Sequence, residues 1–291
     1  MTGIPRAETS KEPLLRNISD TALWVAVYRA RETERKDALF RDPHARRLAG
    51  ERGEQIATVT NAKASPDWPY VARTVRFDQI ISEQIKQGTD MVINLAAGLD
   101  TRPYRMELPA SLQWVEVDLP AMIDYKEHIL RDEKPRCMLQ RVRMDLADMP
   151  ARQKLFQDLG GKAKRALIVT EGLLVYLNRD QVSALGRDLA AQPTFRDWAT
   201  DLCSPGLLKM LQKQLTVLSE AGSPLKFGPE EGPEFFAGSG WKPVEVYSML
   251  KTAGKIKRLP LGFLRLVALL PESKGRQGSR PWGGVCRLTR I

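Results

Sequence analysis

Residues Met91 to Arg105 read MVINLAAGLDTRPYR. The apolar run Met91-Val92-Ile93 gives way to small residues at Ala96, Ala97 and Gly98. A β-branched run of this kind reads as a buried parallel strand that turns sharply at its carboxyl end. The small residues remove side-chain bulk where the backbone would approach a ligand. Open α/β sheets bind nucleotides in the crevice outside the carboxyl ends of their strands. Further along the chain, similar boundaries follow at Glu116-Val117-Asp118, at Met144-Asp145 and at Thr170-Glu171-Gly172. Together these strand ends predict a nucleoside pocket on a doubly wound α/β sheet.

A dinucleotide site normally shows G-x-G-x-x-G, with the pyrophosphate resting on a helix amino terminus. This loop keeps only Gly98 and places Asp100 where a further glycine would be expected. An anionic side chain matches a pyrophosphate poorly and an ammonium or sulfonium group well. Asp118 lies about twenty residues past Gly98, where a carboxylate can accept from both ribose hydroxyls. Asp145, at the next strand end, is placed to accept from an adenine amino group. The pattern favours S-adenosyl-L-methionine over NAD.

The segments VINLAAGLDTRPYR (92–105), WVEVDLP (114–120), RMDLAD (143–148) and TEGLLVYL (170–177) resemble those of the leucine carboxyl methyltransferase family. ISDTALWVAVYRARET (18–33), FRDPHARRLAG (40–50) and GSGWKPVEVYSML (238–250) extend the likeness over nearly the whole chain. Ala96-Ala97 departs from it, since members often carry a glycine at one of these positions. Alanine is a mild change there provided the local φ is negative. The resemblance implies an S-adenosyl-L-methionine-dependent O-methyltransferase on a Rossmann-like class I methyltransferase sheet. Arg73 aligns with an arginine that binds the cofactor's carboxylate, which a guanidinium can grip with two parallel bonds. Gly98 lets the backbone pass the methionyl part, and Asp118 matches the ribose ligand. Asp145 with Leu146 forms the adenine-contacting pair, and Glu171 lies near the amino group and sulfonium. Ala96, Asp100 and Leu119 complete the expected cofactor-binding set. Read without the resemblance, Asp118 and Asp145 also suit helix capping, and Arg73 suits a solvated helix face.

The chain divides into a mobile lead-in (1–17), a helical cap (18–90), a cofactor-binding core (91–203), a lid inserted after the fifth strand (204–241) and a final helix with strands (242–291). The first helix is expected from residue 18 through Phe40, capped by Ser19 or Asp20, with Trp24, Val27, Tyr28 and Arg31 on one face. A second helix is expected over Pro69 to Gln87. Core strands are predicted over Met91–Ala97, Gln113–Asp118, Cys137–Asp145, Ala166–Glu171 and Phe195–Leu202, with helices opening near Pro120, Met149 and Asn178. In the lid, Leu207, Leu208, Leu211, Leu215 and Leu218 form an amphipathic helix. Phe227, Phe235 and Phe236 either line an apolar pocket or pin the loop to the domain. The tail contributes an antiparallel strand pair.

The 291 residues carry a net charge of +10, and the stretch from Lys255 to Ile291 holds nine Lys and Arg against Glu272 alone. It lacks the interleaved aromatics of single-strand binders, so a solvated face or steering of an anionic acceptor is expected rather than nucleic acid. Three scattered cysteines, Cys137, Cys203 and Cys286, predict neither a zinc site nor a disulfide framework and fit a reducing cytoplasm. The charged start reads as no signal peptide, and Pro260, Gly262 and Arg265 interrupt the apolar run Leu259–Leu270. A cytoplasmic protein with no membrane partner and no metal is expected. The acceptor is a carboxylate or hydroxyl, of a small molecule or of a protein carboxyl terminus. A carboxylate needs no general base, whereas a hydroxyl benefits from one. Tyr176 and His44 are the candidates for such a role, with His128 read as solvated. A catalytically idle cofactor-binding protein is the alternative from another class, and a NAD-dependent dehydrogenase fits less well.

Overall fold

The computed structural model describes residues 20–62, 67–220, 222–271 and 278–291. The expected lead-in over 1–17 and the capping residue Ser19 lie outside the described residues. Three helices come first: α1 (Asp20–Thr33), α2 (Ala45–Ala62) and α3 (Trp68–Lys86). The core then alternates β1 (Met91–Leu95), α4 (Arg102–Arg105), β2 (Gln113–Asp118), α5 (Pro120–Leu130), β3 (Met138–Arg143), α6 (Met149–Gly160), β4 (Ala166–Thr170), α7 (Arg179–Ala190) and β5 (Phe195–Cys203). The remainder comprises α8 (Pro205–Gln214), α9 (Thr216–Glu220), β6 (Trp241–Ser248), α10 (Met249–Lys255), α11 (Phe263–Val267) and β7 (Gly283–Arg290).

The strands form one sheet in the order β3-β2-β1-β4-β5-β7-β6. Pairings from β3 through β5 are parallel, while β7 runs antiparallel to both β5 and β6. Every residue of β1 and of β4 is buried, as continuous apolar runs covered on both faces require. Strand order reverses between β1 and β4, and that switch point opens a crevice at the carboxyl ends. Between the lid and β5, Trp198 packs edge-on against Phe236 at 5.0 Å and Trp241 at 5.5 Å.

Local chemistry sets most boundaries. Asn178 and Gln181 form a capping box at the start of α7, and the Asp148 side chain accepts from Ala151 N at the start of α6. The first helix stops at Thr33 and does not reach Phe40. There the Thr33 hydroxyl donates to the Arg29 carbonyl at 2.8 Å and accepts from Asp42 N at 2.8 Å, turning the chain into the loop before α2. The predicted strands Met91–Ala97, Cys137–Asp145 and Ala166–Glu171 are shorter than expected, because their last residues leave the ladder to build the site. The leucine-rich lid helix breaks at Leu215 into α8 and α9.

The basic tail is partly internal. Arg258 pairs with Glu32 at 2.7 Å, and Arg287 pairs with Asp197 at 2.7 Å. These guanidiniums fasten the tail to the cap and to β5, so the stretch is not simply a solvated face. Among the described residues, no helix is long and apolar enough to cross a membrane.

Candidate active site

A cavity of about 1160 Å³ lies over the carboxyl ends of β1, β2, β4 and β5, between the amino-terminal helices and the lid. Its floor is the loop after β1. Gly98 has φ +50°, and a Cβ there would stand 3.3 Å from the Ala22 Cβ of α1. Ala96 also holds a left-handed backbone, with φ +53°. The alanine is therefore not the mild change that a negative φ would have made it: an L-residue in this region bears a steric cost of ~1–2 kcal/mol.

Asp118 closes the loop onto β2. Its Oδ2 accepts from Gly98 N at 2.6 Å and its Oδ1 from Leu119 N at 2.7 Å. Burial raises its pKa, and those backbone donors oppose the rise. It is not the N-cap of α5, a place taken by Leu119. Nor does Asp145 cap α6: it sits beyond the end of β3, exposed, with Oδ1 accepting from Ala147 N at 2.9 Å.

Opposite Asp118, charged side chains alternate in sign. Asp201, at the end of β5, accepts from Gly172 N at 2.7 Å and pairs with Arg73 at 3.1 Å. Arg73 reaches Glu171 at 3.0 Å, and Glu171 turns its other oxygen to Arg102 at 2.8 Å. Arg102 pairs with Asp100 at 3.1 Å and with Asp78 at 2.7 Å, and Asn94 donates to Asp100 at 2.8 Å. Gly172, at φ +72°, leaves the space for this, since a Cβ would lie 3.3 Å from Arg73 Nη1. Burial alone would raise the Asp100 carboxyl, but Arg102 and Lys126 outweigh it and hold the pKa down at about 2.

The fold thus gathers Arg73, Ala96, Gly98, Asp100, Asp118, Leu119, Asp145, Leu146, Glu171 and Tyr176 around one cavity. Tyr176 is hydrogen-bonded to Thr21, and burial raises its pKa. His44 does not join them. It is buried beside Tyr104 at 5.6 Å and faces Glu133, away from the cavity lining, so it is set aside as a catalytic candidate. His128 is exposed. Of the lid phenylalanines, Phe227 lines the cavity, while Phe235 and Phe236 pack into the core and pin the loop. Trp24 both packs on the domain and lines the cavity.

Several lining residues were not foreseen: Asn94, Arg102 and Asp201 at the floor, and Arg29, whose Nη2 donates to the Leu99 carbonyl at 2.6 Å. Asp201 stands near the carboxyl end of β5, as Asp118 ends β2, and an acid at such a place is a short-range signal. Arg102 lies within the motif VINLAAGLDTRPYR, where no local feature of the sequence sets it apart.

The sequence profile of the family described as leucine carboxyl methyltransferase matches residues 22–190. A provisionally named S-adenosyl-L-methionine-dependent methyltransferase of Streptomyces avermitilis is 31% identical over 235 residues, covering 76% of this chain and 82% of that protein. A similarly named protein of Streptomyces coelicolor is 29% identical with the same coverage. Among solved structures, a provisionally named methyltransferase from Thermobifida fusca superposes with a TM-score of 0.55 at 16% identity, covering 96% of each chain. A DUF574 family protein from Streptomyces avermitilis gives 0.59 at 12% identity, covering 91% of this chain and 97% of that one. The fold is that of class I methyltransferases. The chain belongs to the leucine carboxyl methyltransferase family.

Proposed function

We propose that this methyltransferase moves a methyl group from its cofactor, S-adenosyl-L-methionine, to an oxygen of a small molecule, with a carboxylate as the acceptor group the cavity serves best. The carrying observation is the composition of the lining. It includes four guanidiniums, of Arg29, Arg73, Arg102 and Arg152, against five carboxylates, of Asp100, Asp118, Asp145, Glu171 and Asp201. A net anionic chamber suits a ligand that bears a sulfonium and an ammonium against one carboxylate. The chamber also exceeds the ~300–1,000 Å³ of an ordinary single-ligand pocket, which leaves room for an acceptor beside the cofactor.

When bound, S-adenosyl-L-methionine supplies a methyl group already activated on a sulfonium sulfur. The protein's part is to bind, orient and exclude water. Each Asp118 oxygen is engaged by one backbone N–H and retains a lone pair for a ribose hydroxyl. Arg73 offers the guanidinium for the methionyl carboxylate, and Glu171 stands beside it. Leu211, Leu215, Leu218 and Phe227 form the apolar wall that keeps water from the acceptor side. Alignment of this kind contributes ~7–11 kcal/mol when the geometry is near attack. Among the described residues the lining holds no histidine and no lysine. A carboxylate acceptor is ionised at neutral pH and asks for neither.

Calorimetric titration with S-adenosyl-L-methionine, S-adenosylhomocysteine and NAD tests the cofactor, and binding of NAD alone would overturn it. Transfer of labelled methyl to a panel of carboxylic acids, phenols and amines tests the acceptor. A base-labile product is an ester and supports the carboxylate reading, whereas label confined to nitrogen or carbon refutes O-methylation.

A further inference from the structure

The apolar run Leu259–Leu270 is left unused by the cofactor chemistry. In the structure, α11 and its flanking turns leave Leu261 85%, Phe263 76%, Leu266 65% and Leu269 81% exposed, with Leu270 beside them. Single exposed leucines are ordinary, but this many in one short segment are not. The surrounding chain has one sign of charge. Between Glu245 and Glu272 there is no acid, and five cations occur: Lys251, Lys255, Lys257, Arg258 and Arg265. Glu32 and Asp37 take Arg258, whereas Lys255 and Lys257 are exposed. The patch also adjoins the cavity, because Leu264 of α11 lines it together with Leu250.

We propose that Leu261 to Leu270 seats the protein on an anionic lipid bilayer, with the apolar side chains entering the headgroup–acyl boundary and the lysines held among the headgroups. Charge complementarity selects this occupant. A two-fold contact with a second copy would set the same acid-free stretch against itself. Anionic headgroups neutralise the lysines while the acyl region receives Leu261, Phe263 and Leu269. The contact is peripheral, since no described helix can span a bilayer. It brings the Leu264 side of the cavity to the lipid, where an apolar acceptor would be concentrated. The docking surface goes beyond the methyl-transfer reading and stands or falls separately from it.

The test is co-sedimentation of the full chain with vesicles of phosphatidylcholine alone and of phosphatidylcholine mixed with phosphatidylglycerol, at low and high salt. Binding is expected to the mixed vesicles only and to weaken with salt. F263E/L269E should lower it at least about tenfold while leaving S-adenosylhomocysteine titration unchanged. K255E/K257E, which keeps every apolar side chain, should also weaken it and decides the matter if the first variant misfolds. Equal sedimentation of wild type and both variants overturns the proposal. So does light scattering that finds a dimer split by F263E/L269E with no vesicle binding, because a second copy would then cover the patch.

Discussion

Arg73 on α3 and Glu171 at the end of β4 meet at 3.0 Å across 98 residues of sequence. Because Arg73 also holds Asp201, and Glu171 also holds Arg102, this one contact ties α3, α4, β4 and β5 into a single charged floor. Arg73→Lys keeps the charge but cannot span both carboxylates. It should leave one partly buried acceptor short of a partner and cost roughly 1–3 kcal/mol. Urea denaturation measures the loss, and calorimetry should show S-adenosylhomocysteine affinity falling by about tenfold. Unchanged values in both would dissolve the role given to Arg73.

Asp118→Ala removes the acceptor for Gly98 N, and the proposed ribose contact with it. Cofactor binding should weaken by about 1.5–3 kcal/mol for each charge-assisted bond lost. His128→Ala, on the exposed side of α5, serves as the control. If the two variants titrate alike, the ribose assignment is wrong.

Ala96→Gly relieves the left-handed alanine at φ +53°. Glycine's larger unfolded-state entropy offsets part of the gain, so a net rise of roughly 0.5–1 kcal/mol is expected. Thermal unfolding should show a higher midpoint, and a lower one would mean that the alanine methyl packs well enough to repay its strain.

Asp100 sets an acid limb. Its folded pKa, about 2, lies below the ~3.9 of an unfolded aspartate. A depressed carboxyl stabilises fully above the unfolded value and loses that contribution as pH falls through the folded one. The window is therefore about pH 4 down to about pH 2, and the contribution roughly 2–3 kcal/mol. Denaturant midpoints measured across that window should fall less steeply for Asp100→Asn than for wild type. Parallel curves would mean that the Arg102 pairing does not hold the carboxyl.

Cys203 lines the cavity, but burial pushes its thiol up to about 12. It should resist iodoacetamide at neutral pH in the native protein and react only after unfolding. Rapid native labelling, read by mass spectrometry, would contradict this.

Much of the site could be read from local sequence because its residues sit at strand ends. A buried β-branched run followed by small residues or an acid is a short-range pattern, and β1 with Gly98 and β2 with Asp118 both carry it. Asp145 fits less well, since β3 frays before reaching it and leaves the carboxylate exposed. Arg102 and Asp201 were harder to see, because their roles depend on partners such as Glu171 and Arg73 that only the tertiary fold supplies. His44 shows the complementary case: its motif lies in the amino-terminal cap, and packing turns the side chain toward Tyr104 and Glu133 rather than into the cavity lining. The break at Leu215 leaves Leu215 and Leu218 buried against the cap, a tertiary packing that helical spacing alone cannot report.

The antiparallel strand β7 lies between β5 and β6, with Val285 in register with Asp201. The carboxylate that anchors Arg73 therefore stands on a strand whose outer neighbour comes from a part of the chain far from it in sequence. Long-range pairing of this kind slows folding, because loop-closure entropy is lost before the ladder forms. Until β7 has been made, β5 has a partner on one side only, in β4. A folding chain of this methyltransferase thus holds its binding loops in local sequence but has no finished floor beneath them until β7 has joined the sheet.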